Sequence, residues 1–240
     1  MKIIIANPNS STQCTDAIMA SAAGSNTAPD TELIALTNPK GTPAIDCTFS
    51  DYQSAWSLHR AVLDAVEEHR PDAVVIAGFG NLGVFGLKEA LSIPTLGMSE
   101  TAMAVASTLG HRFTVLTTLL QYVPAMEDLV TLYGMQTKCA SVRAIDLCVT
   151  DCVGQREQTL DLLEQEAMNI LEQDGAEVII LGSGGLSGYS EDLEKRIGMT
   201  VLDPVRVTVK FAEMLVEAGI SHSKKRKFAA PPQPLDQYMD

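Results

Sequence analysis

The sequence predicts an α/β fold of two pseudo-symmetric half-domains, each a parallel sheet flanked by helices, with a ligand site in the cleft between them. Three observations carry this expectation. Strand and helix signals alternate along the chain, the pattern of parallel strands joined by crossover helices. The strand candidates are apolar on both faces, as strands covered on both sides must be. Two strand ends also look alike: residues 74–81 read VVIAGFGN and residues 179–186 read IILGSGGL. Residues 78 and 183 lie 105 positions apart, and the strands that follow keep this spacing at Leu96 and Val201.

Taken in order, the first strand is the isoleucine run at 2–6, ending in Asn7-Pro8-Asn9-Ser10-Ser11. Those polar residues suit the start of a helix over 11–24, with Ser10 or Ser11 as the cap. Strands follow at 31–36, 73–77 and 94–97, separated by helical patterns at 52–69 and 83–91. Ser50-Asp51 stands just before the first of these helices and reads as its cap. A helix over 99–109 leads into the second half. Its strands fall at 112–117, 139–145, 177–182 and 200–202, and its helices at 120–134, 154–173 and 188–197. Thr150-Asp151 offers a cap before 154. The last helix, 204–219, is expected to pack back on the N-terminal half. The half-domains are therefore 1–97 plus 205–240, and 98–204.

Ligands of parallel sheets bind beyond the carboxyl ends of the strands. Four such ends converge in this scheme: Asn7 to Ser11, Gly78 to Asn81, Thr117-Thr118, and Ser183 to Gly185. Asn7 suits a hydrogen bond to a substrate carbonyl, or the local capping of a helix. Thr117 and Thr118 suit a carboxylate or imide oxygen, and Asn81 suits orientation of the substrate or a turn. Gly184 and Gly185 leave backbone N–H groups open to an anion.

Composition limits the alternatives. The chain has 240 residues, 46% hydrophobic and 20% charged, with no apolar stretch of membrane-spanning length. A net charge of −13 argues against nucleic acid as a partner, which needs concentrated positive charge. The one basic run, 224–227, reads as a solvated end segment. Five cysteines and an N-terminus that reads as a strand point to reduced thiols and the cytoplasm. Cys148 and Cys152 lack a second pair or a nearby histidine, so no metal is expected.

The run at 7–11, the turn at 78–83, Thr117-Thr118 and the turn at 181–185 together resemble the aspartate/glutamate racemase superfamily, in its hydantoin and allantoin racemase branch. Residues 139–144 and 223–226 look like that branch too. The resemblance implies a cofactor-independent enzyme acting on a small molecule with an acidic C–H, and a homo-oligomer. It also implies two cysteines, one on each face of the substrate, which remove and return the proton. Those cysteines fall at Gly78 and Ser183, and both are absent. Glycine cannot move a proton, and a serine hydroxyl is far less acidic than a thiol. Three readings stay open. Ser183 can mark an inactivated cysteine position. The site can work from position 183 alone, as in a lyase resembling arylmalonate decarboxylase. Or the cleft has turned to other chemistry, or to binding alone. Cys47 and Asp46 are candidates for a relocated proton donor and base, and Tyr122 for a hydrogen bond to the intermediate. The simpler readings are a buried small residue for Cys47, a surface loop residue for Asp46 and packing for Tyr122.

Overall fold

A computed structural model of the chain, which describes residues 1–238 and every side chain among them except those of Thr150 and Val153, contains two four-stranded parallel sheets. The first has strands β1 (Lys2–Asn7), β2 (Glu32–Thr37), β3 (Ala73–Ile76) and β4 (Thr95–Gly97), in the order β2-β1-β3-β4. The second has β5 (Phe113–Thr117), β6 (Cys139–Ala144), β7 (Val178–Leu181) and β8 (Thr200–Leu202), in the order β6-β5-β7-β8. The orders are the same, so the predicted duplication is present in the topology. It reaches individual bonds. Ala77 donates its N–H to Ala6 O at 2.8 Å, and Gly182 donates to Leu116 O at 2.8 Å. Asn7 and Thr117 end the two central strands in matching places.

Strand alternation explains the apolar composition. Ile3, Ile5, Phe113, Val115, Val178 and Ile180 point into one core between the sheets. Helices α1 (Thr12–Ala23), α4 (Met98–Leu109) and α9 (Pro204–Glu217) contribute Ile18, Ala102 and Val209 to it. Ile4, Ala6, Val74 and Ile76 face outward onto Leu58 and Val62 of α2 (Thr48–His69) and Leu87 of α3 (Val84–Ala90). In the second half, Ile179 and Leu181 face Leu160 and Leu163 of α7 (Arg156–Gln173) and Leu193 of α8 (Ser190–Ile197). Each sheet is thus covered on both sides, and each fully buried valine, leucine, isoleucine or phenylalanine adds roughly 1.5–3 kcal/mol.

The last helix packs on β1, β3 and β4 of the N-terminal half, as expected, and also against α4, which belongs to the second half. Its start is fixed by Pro204 in the first turn and by Asp203. The Asp203 carboxylate accepts from Val205 N and Arg206 N at the helix end, and from Ser21 Oγ and Gly188 N at 2.7 Å each. One buried acid therefore ties both halves together.

Three boundaries differ from the sequence reading. Helix α2 begins at Thr48, so Ser50 and Asp51 lie inside it; the Ser50 hydroxyl reaches back to accept from Asp46 N and Cys47 N. The segment 154–173 is preceded by a separate short helix, α6 (Val149–Gly154), and the side chain of Thr150 lies outside the described set. The segment 120–134 opens as a 3-10 turn, Leu120–Tyr122, because Pro124 permits α5 (Val123–Leu132) to begin only there. The basic run is also not wholly solvated. Lys224 Nζ donates to the carbonyls of Lys88, Glu89 and Leu91, the carboxyl end of α3, where a cation is favoured. Among the described residues no helix is long and apolar enough to cross a membrane, and all five cysteines are unpaired.

Candidate active site

The four strand ends meet at one cavity. Its wall includes Asn7, Gly78, Thr117, Thr118, Ser183, Gly184 and Gly185, together with Pro8, Ile18, Ile45, Phe79, Leu82, Tyr122 and Met126. Its volume is about 40 Å³. That holds water, and is well below the ~150 Å³ that accepts a benzene ring. A wall side chain must move to admit a cyclic molecule.

On the second-half side, β7 delivers Ser183 with extended backbone at the mouth of a 3-10 turn, Gly184–Leu186. Ser183 Oγ accepts the N–H of Gly185 at 3.2 Å, so its own hydrogen is free to turn toward the cavity. Gly185 has no room for a Cβ, which would stand 2.9 Å from Val149 Cγ1 and 3.0 Å from Val149 O. Thr117 reaches the wall, but its hydroxyl donates to Gly182 O at 3.0 Å and so braces the strand end. Thr118 is buried in the wall, and its hydroxyl has no hydrogen-bond partner among the described residues.

On the first-half side the chemistry is different. Asn7 is 0% exposed and fully engaged. Its Nδ2 donates to Asn9 Oδ1, Ser11 O and Thr15 Oγ1, and its Oδ1 accepts from Asn9 N. It organises the loop after β1. Ser11 lies outside the cavity wall and caps α1 by accepting from Cys14 N. Asn81 also lies outside the cavity. It lines an outer groove of about 360 Å³ and donates to Tyr133 Oη at 3.3 Å.

Gly78 does not leave an empty place where a side chain would stand. A Cβ there would overlap Leu82 Cδ1 and come 2.7 Å from Pro8 Cγ. Leu82 has φ of 48°, followed by Gly83 at 74°. A leucine in this left-handed region costs roughly 1–2 kcal/mol, and the two successive residues turn the chain back. The Leu82 side chain is 1% exposed and forms part of both the cavity and the outer-groove wall. From sequence, Leu82 with Val84 and Phe85 hints at a pocket that tolerates an apolar side group, and reads equally as core. No local motif signals a backbone reversal at a leucine.

A second feature escaped the sequence. Asp51 lies beside Gly80, where a Cβ would stand 2.7 Å from its Oδ2 and 3.1 Å from Tyr122 Oη. Tyr122 donates to Asp51 Oδ2 at 3.1 Å. Burial raises the Asp51 pKa above the ordinary carboxylate value, against the opposing pull of that hydrogen bond. Burial, and then the Asp51 charge, also hold Tyr122 above the ordinary phenol value. Asp46 and Cys47 sit at the start of α2, outside the cavity wall, with Ser50 donating to Asp46 Oδ1 at 3.0 Å. Asp51, one helical turn further on, lines the outer groove and reaches the cavity wall through its bond with Tyr122. Among the described residues no cluster of three potential metal ligands occurs.

A family model described as Asp/Glu/hydantoin racemase matches residues 3–212. A hydantoin racemase of Pseudomonas sp. (strain NS671) is 34% identical over 231 residues, covering 96% of this chain and 92% of its own. Allantoin racemase from Klebsiella pneumoniae superposes with a TM-score of 0.93 at 31% identity, covering 98% of this chain and 95% of that one. A variant of arylmalonate decarboxylase has a TM-score of 0.66 at 17% identity, covering 91% and 93% respectively, a likeness that shows the fold alone. A duplicated sheet, a cleft built from matching strand ends and a family match across most of the chain lead to one conclusion: this protein belongs to the Asp/Glu/hydantoin racemase family.

Proposed function

We propose that the chain is an isomerase that racemises a small cyclic amide of the hydantoin type at its acidic ring carbon. The observation that carries this reading is the meeting of both strand-end turns at one cavity in a chain 34% identical to a hydantoin racemase over 96% of its length.

The ring lies between the turn at Ser183 and the turn at Gly78. Thr118 and the N–H of Gly184 serve the amide oxygen on which charge develops, as preorganised donors do. Two proton transfers invert the carbon. Asp51 takes the Tyr122 proton while the Tyr122 oxygen takes the proton from the ring carbon, whose electron pair moves onto the amide as an enolate. Ser183 then gives its hydroxyl proton to the opposite face of that carbon, and solvent restores the starting protonation. The serine is a weaker acid than a thiol, so this route is slow compared with one that uses two thiols. No cofactor takes part. The half-domains 1–97 plus 205–240 and 98–204 are the two jaws, and the packing of α9 on β1, β3 and β4 supports that division. A homo-oligomer in the cytoplasm completes the reading, supported by exposed apolar side chains such as Phe49, Tyr52 and Trp56 on α2.

The test is to follow optical rotation and deuterium uptake from solvent with a single enantiomer of 5-methylhydantoin. Loss of rotation together with carbon-bound deuterium supports the reading. Ser183→Ala should slow both by ~10²–10⁴-fold, the usual share of a positioned proton-transfer group, and Ser183→Cys should accelerate them. Turnover indifferent to both changes would remove Ser183 from the mechanism, and no turnover by any of the three proteins would remove the activity.

A further inference from the structure

The first-half wall of the cleft carries an unusual arrangement. Position 78 has no side chain, and the isobutyl group of Leu82 and the ring of Pro8 occupy the space beside it. The backbone that puts Leu82 there is left-handed at a residue other than glycine. Such conformations persist only where surrounding structure enforces them, and they concentrate at functional sites. The same side chain stands between two spaces. On one side is the cavity of about 40 Å³ that holds Ser183. On the other is the outer groove of about 360 Å³, whose wall includes Asp51, Tyr52, Ala55, Ala125 and Leu129. Gly80, Leu82 and Tyr122 belong to both walls. Gly80 adds no side chain, and Tyr122 is held by its bond to Asp51. Of these three, Leu82 is the one whose side chain can swing without breaking a hydrogen bond.

We propose that Leu82 is the specificity-determining residue of this cleft. It occupies the space that a side chain at 78 would need, presents hydrocarbon to the ring face opposite Ser183, and seals the cavity from the outer groove, so that the cyclic amide accepted carries only a small substituent on its reacting carbon. This rests on the hydantoin reading for the substrate, while the steric claim at position 78 stands on geometry alone. Shortening Leu82 joins cavity and groove, and a bulky apolar substituent then has somewhere to lie.

The experiment uses Leu82→Ala and Leu82→Gly, the second of which suits the left-handed backbone and guards against misfolding. Each is compared with the unaltered protein for 5-benzylhydantoin against 5-methylhydantoin, as a ratio of kcat/KM and as a ratio of Kd by calorimetry. The ratio should move toward the benzyl compound by at least about tenfold, within the range that apolar pockets discriminate. A ratio unchanged within about twofold in both folded variants overturns the specificity claim. In a second arm, Gly78→Cys is made with Leu82 intact and with Leu82→Ala, and labelling of the introduced thiol by a small alkylating reagent is located by mass spectrometry. The double variant should label at least about tenfold faster than the single one; equal rates overturn the steric claim. If the binding ratio shifts while no protein exchanges deuterium, the racemase reading fails and Leu82 keeps its role. If exchange occurs with an unmoved ratio, the reverse holds. If neither hydantoin binds, the substituent claim falls with the racemase reading, and the labelling rates still decide the steric claim.

Discussion

The turn after β3 and the turn after β7 leave their strands alike and differ in the backbone that follows and in what they hold. Each leaves its strand through the same N–H to carbonyl bond, at 2.8 Å in both cases, and each opens on the cavity. At Ser183 a side chain reaches the cavity, and its oxygen is steadied by the N–H two residues on. At Gly78 there is none, and a leucine four residues later has folded over the place. Duplication has preserved the hydrogen-bonded frame, which backbone polarity enforces in any buried strand. Side chains at the strand ends carry no such obligation. The difference teaches that fold symmetry does not carry chemical symmetry. The second half offers a hydroxyl and the first offers hydrocarbon, and at the edge Asp51 of the first half accepts from Tyr122 of the second.

Making the turns alike is the sharpest way to test that contrast. Gly78→Cys should cost ~1–3 kcal/mol of folding stability, the usual penalty for forcing atoms into filled space, because the new Cβ meets Leu82 and Pro8. Ser183→Cys replaces one small polar atom by a larger one at a site that already holds a Cβ, and should cost less than about 1 kcal/mol. Urea denaturation of the two variants measures both. Equal costs would mean that the Gly78 turn relaxes freely and the contrast is one of residue type only.

A smaller effect separates the acid edge from the rest of the first jaw. Burial holds the Asp51 pKa above its ordinary value, so the unfolded chain releases this proton first as pH rises. The fold then loses stability from the ordinary carboxylate range up to the raised pKa, and is favoured below it. Asp51→Asn keeps an acceptor for Tyr122 and removes that loss. Its stability relative to the unaltered protein should be level in acid and rise as pH passes upward through this range. Denaturation midpoints at a series of pH values read it. An advantage confined to acid, or one independent of pH, would show that Asp51 is not held in a desolvated place.

The sequence made the frame legible because a parallel sheet covered on both faces leaves continuous apolar runs, and the 105-residue spacing survives in β3, β4, β7 and β8. The cleft was legible for the same reason, since strand ends are where such runs stop. Ser183, Gly184, Gly185, Thr117 and Thr118 line the cavity from positions that alternation fixes. Helix starts were less legible. Cys47 gives little sign of being the residue where α2 begins, and the error moved Asp51 from inside the helix to its cap. Asn7 shows a different limit. Its polarity and position suggested a ligand, while three short-range acceptors already use its amide. Leu82 was legible only as an apolar residue near the site; its place over Gly78 was beyond reach, since it comes from a backbone reversal and a missing side chain, and neither leaves a periodic trace.

The most direct measurement is a crystal structure of the unaltered protein soaked with 5-methylhydantoin. The ring should lie with one face within contact of Ser183 and Gly184, the other against Leu82 above Gly78, and the reacting carbon between Ser183 Oγ and Tyr122 Oη. A ring bound only in the outer groove, or with both faces away from Ser183 and Leu82, would contradict this placement.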